Sequence, residues 1–149
     1  MIRQSPRQAT VAVVAAIAVG FAGCGGDDAP SNEEFVAQAN AICERHHARI
    51  SEKASKVLAG GNLPSPREFG ELARGTIIPE YSAQIEELRA LEPSEEKEEQ
   101  FRAWLDDSTQ LKNRLAANPA MIQNPQALEP VNAEAERIGL AEECQVGPT

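Results

Sequence analysis

The sequence predicts an all-α protein whose body is an antiparallel four-helix bundle, with the second helix kinked at Pro79 and the fourth irregular. Three observations carry that expectation. Four segments place apolar residues at the three-to-four-residue spacing of a single helix face. Breakers containing Gly and Pro separate them. No segment shows the alternating β-branched pattern of a strand. A chain of 149 residues, 42% hydrophobic and 25% charged, has the length and material for one core.

Before the bundle comes a leader helix. Arg3 and Arg7 make a positive start, and residues 10–23 carry no charge. As a helix those 14 residues would reach about 21 Å, against roughly 30 Å for the hydrocarbon core of a bilayer. That shape is a secretory signal rather than a stable span. The run ends Phe21-Ala22-Gly23-Cys24, and on it the chain resembles a bacterial lipoprotein precursor. Ala22, Gly23 and Cys24 match the small-small-Cys pattern of that family's lipobox, while Phe21 stands where Leu is usual. The resemblance implies cleavage before Cys24 and diacylglyceryl on its sulfur. More than one acyl chain gives stable anchoring where one is marginal. Gly25-Gly26-Asp27-Asp28-Ala29-Pro30-Ser31 then reads as a polar tether. The expected organisation is residues 1–23 as signal peptide, 24–31 as lipidated Cys and tether, and 32–149 as the bundle domain. Loss of Arg3 and Arg7 would take two positive charges from a net charge of −9, leaving −11. The lipid on Cys24, not an acidic surface, would then hold the protein to the extracytoplasmic side of the cell membrane.

The first helix of the bundle opens on a capping box, Ser31 with Glu34. Its stripe runs Phe35, Ala39, Ile42, Cys43, His46, Ile50, Ala54, Val57 and Leu58, and Gly60-Gly61 with Pro64 and Pro66 stops it. The second helix starts near Pro66 with Ser65 as cap. Its stripe is Phe69, Leu72, Ala73, Ile77, Tyr81, Ile85, Leu88 and Leu91. Pro79 must kink or break it, with Gly75 and Thr76 available as a C-cap and a new N-cap. The third follows Pro93-Ser94. Glu95, Glu96, Glu98 and Glu99 occupy its first turns, where the helix dipole favours acid, and Lys112 and Arg114 its last. Its stripe is Phe101, Trp104, Leu105, Ser108, Leu111 and Leu115. The fourth is interrupted by Pro119, Pro125 and Pro130, yet Leu128, Val131, Ala135 and Ile138 keep helical spacing. Gly139-Leu140 reads as its stop.

Three cysteines are an odd number. With Cys24 given to lipid, Cys43 and Cys144 remain, and an exported chain meets an oxidising compartment, so a structural disulfide is expected. A redox or metal pair is the alternative, but no C-x-x-C is present and the spacing fits no zinc pattern. The tail after Leu140, extended, spans the distance back to Cys43 in an up-down-up-down bundle.

Chemistry has little foothold. Net acidity without a Lys/Arg cluster argues against nucleic acid. Glu44-Arg45-His46-His47 contains the Glu-x-x-His of di-iron bundles, but that site needs the motif twice and these are the only two histidines. His46 and His47 are the candidates for a metal; a site of His47 with Cys43 would compete with the disulfide. The expected reading is His46 half-buried and His47 exposed. No Gly-x-Ser-x-Gly, phosphate-cradling loop or Cys-x-x-Cys-His exists. Glu86-Glu87, Asp106-Asp107 and the acidic run over residues 95–99 read as solvated surface. Tyr81, Phe101 and Trp104 could line a pocket, or be core.

The mature part also resembles small, uncharacterised helical lipoproteins of actinobacterial type, on Asn40-Ala41-Ile42-Cys43, Glu87-Leu88-Arg89-Ala90-Leu91-Glu92-Pro93, Trp104 and Cys144. The resemblance implies anchoring and a disulfide-tied bundle and brings no activity. The functional expectation is a lipid-anchored, non-enzymatic interaction or envelope module with no cofactor and an unspecified protein partner. The alternative is a carrier of a small ligand or metal in the bundle interior.

Overall fold

The computed structural model describes residues 29–59 and 64–147. The leader, Cys24 and most of the tether lie outside them, as do residues 60–63, where Gly60-Gly61 is expected to stop the first helix. Within the described residues the chain is helical, with no strand. It runs α1 (Asn32–Leu58), α2 (Pro66–Leu72), a π turn (Ala73–Ile77), α3 (Ile78–Arg89), α4 (Glu98–Ala117), a 3-10 turn (Pro119–Gln123), α5 (Pro125–Ile138) and a second 3-10 turn (Glu142–Cys144). α2, the π turn and α3 form one joined helix, so the architecture is the antiparallel four-helix bundle that periodicity predicts.

The caps follow sequence chemistry. The Ser31 hydroxyl accepts from the Glu34 amide at 3.3 Å, and the Glu34 carboxylate accepts from the Ser31 amide at 3.0 Å. Ser65 and Glu68 repeat that box before α2. α5 ends on Gly139 at φ 95°, a left-handed conformation that costs any Cβ-bearing residue about 1–2 kcal/mol. The Leu140 amide donates back to the Ala135 carbonyl at 3.0 Å, closing the stop.

Two details differ from expectation, the caps that Gly75 and Thr76 could have supplied and the start of α4. Pro79 leaves its helix as the one joined, distorted element expected. It has no N–H to donate to the Gly75 carbonyl, and the chain absorbs that loss one turn earlier, where the Ile78 amide reaches back five residues to the Ala73 carbonyl. Gly75 and Thr76 therefore lie inside the π turn rather than acting as caps. α4 begins at Glu98, not at residue 95. Residues 95–97 form a turn in which the Lys97 amide donates to the Ser94 carbonyl at 3.0 Å, so Glu95 and Glu96 precede the helix.

The core runs along the predicted stripes. Phe101, Trp104, Leu105, Ser108, Leu111 and Leu115 are all buried, as are Leu128, Val131, Ala135 and Ile138. Phe35 meets Phe101 edge-on at 4.7 Å, and Phe101 stacks with Trp104 at 5.7 Å. The Trp104 indole N–H donates to the Val131 carbonyl at 3.1 Å, so the one buried indole is satisfied.

α1 packs on α3, α3 on α4 and α4 on α5, and the tail carries the chain back to α1. It does so as a 3-10 turn rather than an extended climb, because α5 ends beside the middle of α1. The Ala141 amide donates to the Asn40 Oδ1 at 2.8 Å, and Cys144 forms a disulfide with Cys43, Cα to Cα 4.9 Å. Asn132 binds both backbone groups of Val146, accepting from its amide and donating to its carbonyl at 2.9 Å each.

The disulfide joins residues 101 apart, which in the chain-entropy account stabilises by about 4–5 kcal/mol. Cys43→Ala/Cys144→Ala is expected to lose most of that in urea denaturation, and dithiothreitol to reproduce the loss in the parent. Equal midpoints with and without reductant would contradict this role.

Candidate functional site

Two features combine titratable or polar groups with unusual surroundings: a carboxylate–histidine clamp between α1 and α3, and an apolar cleft beside it at one end of the bundle.

The clamp is built by helix spacing. On α3, Glu80, Gln84 and Glu87 fall at i, i+4 and i+7, one polar edge beside the apolar stripe. On α1, Arg45, His46 and Arg49 lie opposite in reversed order, as antiparallel packing requires. His46 is fully buried. Its Nδ1 lies 2.8 Å from Glu80 Oε2 and its Nε2 3.1 Å from Glu87 Oε1. Ionised carboxylates only accept, so both bonds exist together only when both ring nitrogens carry protons. Each carboxylate also has an arginine: Arg45 donates to Glu87 at 2.6 Å and Arg49 to Glu80 at 3.2 Å. Partial burial opposes the charge on Glu80, but hydrogen bonds from His46 and Arg49 outweigh it and hold the carboxyl below the usual glutamate range. The Arg45 hydrogen bond, followed by that of His46, does the same for Glu87.

Several sequence expectations change here. His46 is sealed rather than half-buried, and both its nitrogens are engaged, which leaves none facing an open site. His47 is partly buried at the cleft. Glu87 and Asp106 are exposed as expected, and each also pairs between helices, Glu87 with Arg45 and Asp106 with Arg89 at 2.9 Å. Among the described residues no three His, Cys, Asp or Glu side chains are grouped to hold a metal ion.

The cleft has a volume of about 650 Å³, within the range of roughly 300–1,000 Å³ for small-molecule sites. One wall is the C-terminal half of the α1 stripe, Ile50, Ala54 and Val57. Phe69 and Ile77 face it from the joined helix, and Val146 closes the tail side. Ile50 and Ala54 are only partly buried and Val57 is 36% exposed, so the stripe continues past His46 without full cover from the described residues. Of the three predicted pocket residues only Tyr81 lines the cleft. Phe101 and Trp104 stand in the aromatic core, where Phe35 and α5 fill the space around them.

Gln84 lines the cleft while only 4% exposed. Its single hydrogen bond among the described residues is a 3.5 Å contact from Nε2 to Cys43 Sγ, and Oε1 accepts none. The Tyr81 and Ser108 hydroxyls are buried and near enough for Ser108 to act on the phenol, but neither has a partner in hydrogen-bond geometry. Burial pushes the Tyr81 phenol well up, tempered by Ser108.

Among the described residues no helix is long and apolar enough to cross a membrane. No family model, curated protein or solved structure matches the chain.

Two outcomes are expected. The clamp holds two glutamates at lowered folded pKa, so its stabilisation is complete above the ordinary range near about 4.3 and fades as pH falls through the lower folded values. His46→Phe is expected to cost about 1–3 kcal/mol at pH 6, with a gap to the parent that narrows between pH 5 and 3 in urea titrations. A pH-independent gap would exclude the clamp as its source. Tyr81→Phe removes a buried hydroxyl that has no partner, so stability is expected to hold or to rise by about 1 kcal/mol. A loss beyond that in the same assay would show the hydroxyl to be satisfied.

Proposed function

We propose that this protein is a lipid-anchored, extracytoplasmic helical module without enzymatic activity. The observation that carries the reading is the sequence run Phe21-Ala22-Gly23-Cys24 at the end of an uncharged leader with two arginines before it. The division of the cysteines supports it. Cys43 and Cys144 join in the disulfide, a bond suited to an oxidising compartment, and Cys24 is left for another use. The absence of a catalytic role rests on access: the one histidine held between acids, His46, is sealed from any substrate. The attachment is to the membrane through Cys24, with the surface available to a protein partner.

A second reading, a carrier of a small ligand, is favoured by the cleft. That site lies at the bundle end rather than in its interior. From Ser31 to Ile50 along α1 is about 28 Å, so a chain tethered before Ser31 would carry the cleft well away from its anchored end.

Cys24→Ser is expected to abolish incorporation of a metabolically supplied alkyne fatty acid and to release the protein from the membrane fraction. Undiminished labelling of that variant would exclude the anchor.

A further inference from the structure

We propose that the cleft binds a neutral single-chain amphiphile, with its alkyl body along Ile50, Ala54 and Val57 and a hydroxyl head on the Gln84 amide. The inference rests on the carrier reading and adds the chemistry of the cargo. It comes from three features of the cleft.

The first is the uncovered half of the α1 stripe. Packing buries Phe35, Ala39, Ile42, Cys43 and His46, and then stops while the apolar spacing continues through Val57. An apolar body laid there removes surface that the protein itself leaves to water. The second is Gln84. It is 4% exposed, its Oε1 has no donor among the described residues, and its Nε2 has only a sulfur at 3.5 Å. Oε1 is not sealed off, so it is open to a partner in the cleft, and a hydroxyl is the small group that both donates to the carbonyl and accepts from the N–H. The third is charge. No Lys or Arg lines the cleft; its polar members are His47, Ser51, Tyr81, Gln84, Gln123, Gln145 and Glu143. A carboxylate or phosphate head would find no strong cation there and would meet Glu143 in a chain of net charge −9. An ammonium head has donors only and could not accept from the Gln84 N–H, so the head that matches both sides of the amide is uncharged.

Gly147 completes the tail side of the cleft. At φ 115° its backbone takes a conformation that side chains rarely adopt, and an added Cβ would stand 2.7 Å from Leu128 Cδ1, which would have to move.

The test is photo-crosslinking of the full chain in lipid nanodiscs with a C16 alcohol carrying a mid-chain diazirine, followed by peptide mapping. Labels are expected on the 50–57 segment and on Phe69 or Ile77. Hexadecanol should compete at least tenfold better than palmitate or hexadecane. Ala54→Trp, which fills the cleft from the partly exposed wall of α1, should remove the labelling. Gln84→Leu should bring the alcohol-to-alkane ratio towards one while labelling persists. Circular dichroism and an intact Cys43–Cys144 bond check that each variant is folded. Labels outside the cleft, labelling that survives Ala54→Trp, or a second copy seated on the cleft in native mass spectrometry would overturn the carrier reading and the proposal with it. Cleft labelling competed equally by palmitate, or an alcohol-to-alkane ratio unmoved by Gln84→Leu, would overturn the neutral hydroxyl head alone.

Discussion

The return of the tail to α1 is the constraint on which the rest of this fold depends. α5 packs chiefly on α4, so the first and last helices are brought into one body by the short segment after Gly139. Three polar or covalent ties fix that segment: Asn40 on the Ala141 amide, Asn132 on both backbone groups of Val146, and the disulfide between Cys43 and Cys144. Two ties lie on α1 within one turn of each other, and the third lies on α5. The tail thus bridges both sides of the opening that an unclosed helix row would leave. Closing a loop of this length by contacts alone would cost conformational entropy that the disulfide removes from the unfolded chain.

That closure divides α1. On the side towards Ser31, the stripe is buried against the Phe35–Phe101–Trp104 aromatic group. At the closure, Gln84 reaches the disulfide sulfur, and one turn on His46 locks α1 to α3 through Glu80 and Glu87. Beyond it the tail only edges the cleft, through Val146 and Gly147, and the same apolar spacing of α1 opens onto it. The clamp stands at the boundary, with His46 sealed inside and its arginines and Glu87 at the surface. A histidine sealed between two acids, each with its own arginine, fixes the register of α1 on α3 more specifically than an apolar contact, because a shift by one turn would part every pair.

Much of this is legible in sequence because it is local. Helix periodicity marks the faces of α4 and α5, Ser31 and Ser65 sit where caps are required, and the cysteine count leaves one pair once Cys24 is set aside. What escapes the sequence depends on partners far along the chain. The depth of His46 is set by acids 34 and 41 positions away. The i, i+4, i+7 spacing of Glu80, Gln84 and Glu87 is a readable signal for a polar edge, but nothing local says that it faces histidine. The π turn is decided by how α2 and α3 join around a proline that cannot donate. The cleft is harder still. It is made by the absence of a covering side chain at Ile50, Ala54 and Val57, and a stripe reads the same whether protein covers it or not. For the same reason Phe101 and Trp104 read equally as core or pocket, and only the positions of Phe35 and α5 decide.

The distribution of charge links the acidic composition to the cleft. The chain has few cations, and the fold commits several of them to specific acids: Arg45 and Arg49 in the clamp, Arg89 on Asp106, Arg67 on Glu71 and Lys56 on Glu52. The pairs on exposed single helices add little stability. Those between helices hold α1 on α3 and α3 on α4, which is where register matters. None of these cations lines the cleft, which is left with amides, a hydroxyl, a histidine and a carboxylate around an apolar floor. An acidic protein with no Lys or Arg at this apolar opening repels anions from the mouth before contact chemistry begins. The same charge economy that builds the clamp therefore narrows what the cleft can accept, and selection at the mouth and selection at Gln84 act in the same direction.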